Sequence, residues 1–199
     1  MILKTHGALR RAGLLALLGS SLMGQALAET APQVKFTTSV GVFVVEVYSD
    51  KAPKTVENFL QYVKDKHYDG TIFHRVIPNF MVQGGGYDAQ YQQKPTRTPV
   101  AHEGRDALAK GGPRNTVGTL AMARTNDPHS ATAQFFINVK DNAFLDPSAQ
   151  SFGYTVFGKV VSGMDVVEKI KSTPTGAGGP FPTDVPKTTI LINSATLVK

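Results

Sequence analysis

The chain has 199 residues, 21 lysines and arginines against 15 aspartates and glutamates, and no cysteine. That length suffices for one fully cored domain, and without cysteine there are no disulfides, so stability has to come from packing and hydrogen bonding. Three of the cations fall within residues 1–28, leaving 18 basic and 15 acidic residues and no dense basic run, which argues against nucleic-acid or membrane-surface binding.

Residues 1–28 have the order of a secretory signal peptide: Lys4, Arg10 and Arg11, then an apolar run from Ala12 to Leu18 interrupted by Gly13, then Ala26-Leu27-Ala28 as a small-x-small cleavage site. The run is too short for a membrane span, so cleavage after Ala28 is expected to release one domain, 29–199, with no stable membrane association.

Residues 33–38 and 42–48 are β-rich and separated by Ser39-Val40-Gly41, which predicts a hairpin. The period then changes. Over 51–66, Val56, Phe59, Leu60 and Val63 recur at helical spacing, with Pro53 suited to the first turn.

The segment 73–86, FHRVIPNFMVQGGG, alternates as a strand and turns at Pro78-Asn79 into a second short strand from Phe80 to Gln83. Alternation sends Phe73, Arg75 and Ile77 to one face and His74 and Val76 to the other. From there Gln83 could reach the Arg75 guanidinium and orient it. An equally simple reading is an edge arginine with its stem on the core and its head in water.

Residues 84–99, rich in Gly, Gln and Pro, read as a long surface excursion. Residues 118–123, 134–139 and 154–161 are further strands, and Ser162 with Asp165 forms an S-x-x-D cap for a short helix whose inner side is Met164, Val167 and Ile170. Residues 172–186 are turn-rich, and 188–198 closes the chain as a strand. Many short strands, two helices and no βαβ rhythm predict an antiparallel barrel or sandwich.

Several motifs fail in context. GYTVFGK at 153–159 has phosphate-loop spacing, but Val160 stands where a metal-binding hydroxyl belongs and its interior is strand material. Asp127, His129 and Ser130 are too crowded in one loop for a hydrolytic triad. His67, His74, His102 and His129 lack ligand spacing, so no metal or other cofactor is expected. More informative are Ala121-Met122-Ala123-Arg124, Gln134-Phe135-Phe136 and Phe144-Leu145-Asp146. Gln134 and Phe136 alternate and can face the side of Arg75, giving a shallow apolar cleft with a permanent cation and several amides but no nucleophile or base.

FHRVIPNFMVQGG, MARTND…SATAQFFIN, FLD and YTVFGKVVSGMDVV resemble the cyclophilin family of peptidyl-prolyl cis/trans isomerases over about 34–198, and the leader places the likeness nearest the bacterial periplasmic members. The resemblance implies a mainly β fold: a closed eight-stranded antiparallel β-barrel capped by two α-helices. It implies that Arg75 is catalytic and Gln83 supports it, that Phe80, Met81, Phe136 and Leu145 hold the proline ring, and that Ala123, Arg124 and Gln134 form a rim for substrate backbone. Phe144 stands where many members have Trp, Tyr154 where they have His, and Arg124 where they have Asn, which bears on substrate preference and implies weak cyclosporin binding. The expected partners are proline-containing peptides and unfolded exported proteins met by a periplasmic monomer. The alternative is a chaperone module that holds proline segments, with turnover incidental.

Overall fold

The computed structural model describes residues 1–2 and 31–198, so the leader and its cleavage site, apart from Met1 and Ile2, lie outside the described residues. The elements follow in the order β1 (Gln33–Thr38), β2 (Gly41–Val47), α1 (Pro53–Lys64), β3 (Thr71–Ile77), β4 (Met81–Asp88), α2 (Gly104–Ala109), β5 (Thr119–Met122) and β6 (Phe135–Asn138). A single 3-10 turn at Ala143–Leu145 precedes β7 (Val156–Ser162), α3 (Met164–Lys171), β8 (Thr175–Gly178), β9 (Phe181–Pro186) and β10 (Leu191–Leu197). Eight strands close into the expected barrel in the order β1-β10-β3-β4-β6-β5-β7-β2, every neighbouring pair antiparallel.

Period-2 patterning fills the barrel. Val34 and Phe36 of β1 and Phe43, Val45 and Val47 of β2 are wholly buried, and Phe36 stacks on Phe43 with ring centroids 4.9 Å apart. From α1, Phe59 enters the same cluster, 5.0 Å from Phe157 and 6.1 Å from Phe135. Burying such rings supplies about 1.5–3 kcal/mol each, which is how a chain without disulfides sustains the fold. The apolar face of α3 is Val166, Val167 and Ile170. Gly41, at φ +139°, lets Val166 close on the hairpin, since a Cβ there would meet Val166 Cγ2 at 2.6 Å.

Helix α1 begins with Pro53 and gets no cap from the residue before it. Two of its free N–H groups are met from 48 and 49 positions away. Lys54 N–H donates to Glu103 Oε1 at 3.2 Å, and Thr55 donates to Oε2 from its backbone at 2.8 Å and its hydroxyl at 2.7 Å. A carboxylate at that end also complements the helix dipole.

Four expectations need correction. A third helix, α2, is present, built from six residues that include Gly104 and too short to show a period. The glycines after Gln83 continue β4 to Asp88, so the excursion starts later. Within the turn-rich 172–186, β8 and β9 pair as a two-stranded ribbon. Ser162 ends β7 rather than capping α3, whose N-cap is Gly163 at φ 78° with no side-chain cap bond; only a residue free of Cβ strain sits easily there.

Candidate active site

One row of strand partners builds the floor of a cleft on the outside of the barrel. Paired in register, Arg75 of β3 lies opposite Gln83 of β4, Gln83 opposite Phe136 of β6, Phe136 opposite Ala121 of β5, and Ala121 opposite Val156 of β7. Met81, Ala121, Phe136, Leu145 and Val156 form a small apolar cluster separate from the barrel core, with Ile77, Phe80, Ala123 and Tyr154 packed on it. Arg75, Phe80, Met81, Gln83, Ala123, Arg124, Phe136, Phe144, Leu145 and Tyr154 together line a cleft of about 380 Å³. Ten of the eleven residues singled out from the sequence thus converge.

The eleventh, Gln134, lines an adjoining pocket of about 300 Å³ whose wall toward the cleft is Gln83, Ala123 and Arg124. It stays connected through its side chain, because Gln83 Nε2 donates to Gln134 Oε1 at 3.0 Å. Gln83 therefore spends its amide on Gln134 and not on Arg75 as expected. Among the described residues the exposed Arg75 guanidinium has no carboxylate partner.

The predicted face for Arg75 also needs amendment. Phe73 belongs to the barrel core while Ile77 packs on the cleft cluster, so the two do not share a side. The β3–β4 register slips between Phe73 and Arg75. Such a bulge puts two residues opposite one and resets the alternation. His74 is consequently buried outside the core, its ring 4.8 Å from Tyr87 and 5.5 Å from Phe181 of β9, with Nδ1 lacking a partner. Burial foremost, then the neighbouring Arg75 charge, lowers its pKa from 6.5 to about 4.

The walls are held by Asn and Asp residues to which the sequence assigned no role. Asn142 Nδ2 donates to the Phe80 carbonyl at 2.9 Å and to Asn138 Oδ1 at 2.8 Å. Asn138 Nδ2 donates to Asn115 Oδ1 at 3.2 Å, and Asn115 Nδ2 to the Leu145 carbonyl at 3.2 Å. Asp146 Oδ1 accepts the Asn115 backbone N–H at 2.8 Å. This buried amide network fixes both ends of the apolar wall. Its signal in the sequence was Asn115, Asn142 and Asp146 in loops between predicted strands and Asn138 within one, a pattern that turns produce nearly as well.

Phe144 is 73% exposed and stacks on Phe80 at 5.6 Å, forming an open lip. Opposite, Tyr154 meets Phe136 edge-on at 5.5 Å and lies under Arg124, whose Cζ is 4.6 Å from the ring centroid. Arg124 is pinned by carbonyls: Nε and Nη2 donate to Gly153 O at 3.1 and 2.9 Å, and Nη1 to Thr125 O at 2.7 Å. His102 Nε2 reaches the same Gly153 oxygen at 3.2 Å while its Nδ1 accepts Gly104 N–H at 3.2 Å, which sets the Nε2–H tautomer. Burial is the main cause that holds the His102 pKa below its ordinary value. Asp127, His129 and Ser130 form a turn: Ser130 Oγ donates to Asp127 O at 2.7 Å and His129 N–H to Asp127 Oδ1 at 2.8 Å.

The cleft offers two guanidinium groups, the Gln83 amide and a greasy floor. That chemistry can grip an apolar ring and stabilise a changing amide without making or breaking a bond. Residues 33–197 match the family model described as cyclophilin type peptidyl-prolyl cis-trans isomerase/CLD. The chain is 54% identical over 168 residues to the peptidyl-prolyl cis-trans isomerase cyp18 of Streptomyces antibioticus, covering 83% of this chain and 98% of that protein. It is 53% identical over 167 residues to peptidyl-prolyl cis-trans isomerase B of Escherichia coli, covering 82% and 98%. A crystal structure of a cyclophilin type peptidyl-prolyl cis-trans isomerase of Cryptosporidium parvum in the presence of the dipeptide Ala-Pro shares the fold, with a TM-score of 0.66 at 22% identity, covering 84% of this chain and 99% of that one.

Proposed function

The chain belongs to the cyclophilin-type peptidyl-prolyl cis-trans isomerases, and from that premise we propose that its Arg75 cleft speeds X-Pro rotation during the folding of exported proteins. Unaided, the bond turns over in about 10–100 s behind a barrier of about 20 kcal/mol. Twisting ends the amide resonance and returns a lone pair to the prolyl nitrogen, so the twisted unit is less polar than the planar one. Arg75 donates to that nitrogen or to the adjacent carbonyl as the bond rotates, and a preorganised donor of this kind supplies about 3 kcal/mol. Phe80, Met81, Phe136 and Leu145 hold the pyrrolidine ring while the preceding residue turns, and their poor solvation disfavours the planar form.

The observation that carries this reading is the register row that sets the guanidinium two strands from the ring floor. The Ala-Pro dipeptide used with the Cryptosporidium parvum protein supports proline segments as ligands. Export is supported by the cations, apolar run and Ala-Leu-Ala of residues 1–28, and a periplasmic location by the resemblance to periplasmic members of the family. A mature protein beginning at Glu29 in the periplasmic fraction is the expected result; recovery with Met1 intact from the cytoplasm refutes export. Phe144 has no indole N–H to donate, so cyclosporin is expected to inhibit weakly.

The test is isomerisation of an X-Pro peptide by the wild type and by Arg75→Lys, which keeps the charge and loses the planar fork. Turnover is expected to drop by about a hundredfold in the variant. Wild-type turnover in a folded Arg75→Lys protein would overturn the role of Arg75 and leave the cleft as a holder of proline segments.

A further inference from the structure

We infer that Arg124 selects proline segments that carry a carboxylate side chain next to the proline, a statement about substrate class that rests on the isomerase reading above. Of the five described arginines, Arg97 and Arg114 are paired with Asp65 and Asp146 at 2.9 and 3.2 Å. Arg75, Arg124 and Arg105 have no carboxylate partner among the described residues. These three cluster on one face: Arg75 and Arg124 line the cleft, and Arg105 sits over Phe152, next to the glycine that Arg124 grips. No carboxylate lines the cleft or the pocket beyond Ala123. Arg124 is the one charged residue common to both spaces.

Its geometry is that of a prepared site. Three of its five N–H groups are held by the Gly153 and Thr125 carbonyls, which leaves two N–H groups and the whole positive charge for a ligand. The anchor is rigid, because Gly153 has φ +61° and a Cβ there would meet the Leu145 carbonyl oxygen at 2.5 Å. A guanidinium fixed in advance loses little freedom when it binds a carboxylate, and partial burial reduces its screening by salt. Protein carbonyls orient the fork without neutralising it, so an acidic side chain gains an ion pair that its amide counterpart cannot make.

The test compares kcat/KM, by a protease-free exchange measurement, for N-acetylated, C-amidated peptides differing only in Glu, Gln or Lys at each position flanking proline. At one of these positions the expected order is Glu, Gln, Lys, with Glu favoured over Gln by about threefold or more and the ratio shrinking as salt is raised. Reading the Glu-to-Gln ratio within each protein removes any general loss of turnover. The ratio is expected to fall toward one in Arg124→Gln and to persist in part in Arg124→Lys. Equal turnover of all peptides by the wild type overturns this inference and leaves the isomerase reading standing; no turnover of any overturns both. An undiminished ratio in Arg124→Gln removes Arg124 as its source.

Discussion

Gln83 can donate to Gln134 Oε1 only because Gly86 leaves empty the space across which the Gln134 side chain lies. A Cβ at position 86 would meet Gln134 Nε2 at 2.6 Å and crowd Cγ and Cδ as well. The obstruction is a movable side chain, and the Gly86 backbone is one that alanine adopts without strain. Gly86→Ala is therefore expected to fold normally, turn Gln134 outward and free the Gln83 amide. Losing one such bond corresponds to about a fivefold fall in kcat/KM, measured on an X-Pro peptide alongside a thermal melt. Unchanged activity would mean that the amide pair does not tune the cleft.

Asn142 joins the two halves of the wall by donating to both Phe80 O and Asn138 Oδ1. Asn142→Ala leaves the Asn138 oxygen buried without that donor, a loss of about 2 kcal/mol in stability. With Phe80 released from its anchor, proline-ring binding is expected to weaken more than turnover of bound substrate. Steady-state kinetics at a temperature where the variant stays folded should show a larger change in KM than in kcat.

Glu103→Ala removes the cap of α1 without touching the cleft. Two backbone N–H groups and the Thr55 hydroxyl lose a charged acceptor, which corresponds to about 2 kcal/mol and to a drop in Tm of about 4–8 °C. Glu103→Gln keeps an acceptor and should lose less. Calorimetry checks the order, and kcat/KM below the melt should stay near wild type.

These residues show what the sequence made legible. β1, β2 and α1 were readable because their burial follows a local period of two or 3.6, and the cleft residues were readable because they lie in the motifs that carry the family resemblance. The Glu103 cap was not, since 48 positions separate it from Thr55 and no local pattern marks the pair. The bulge at Phe73–Arg75 defeated simple alternation by inserting one residue. The β8–β9 ribbon was hidden because its strands, TGAG and FPTDVP, are rich in Gly and Pro, residues that also make turns.

Burial under that ribbon sets a pH dependence through His74. Its folded pKa of about 4 lies below the ordinary 6.5, so between those values the unfolded chain binds a proton that the native state refuses. The histidine is neutral in both states above about pH 6.5 and opposes folding increasingly below it, by about 2 kcal/mol at pH 5. Denaturant unfolding of the wild type and His74→Phe from pH 7.5 to pH 5 should diverge, the wild type losing more as pH falls. Parallel curves would show that His74 carries none of the acid sensitivity.

The barrel is closed by its own ends. β10 pairs on one side with β1, Val34 opposite Leu197, and on the other with β3, Leu191 opposite Ile72. Until β10 docks, two strand edges stand open and the cylinder has a missing stave. Joining Val34 to Leu197 brings together distant parts of the chain, so closure of the cylinder is expected to be slow compared with formation of the β1–β2 hairpin.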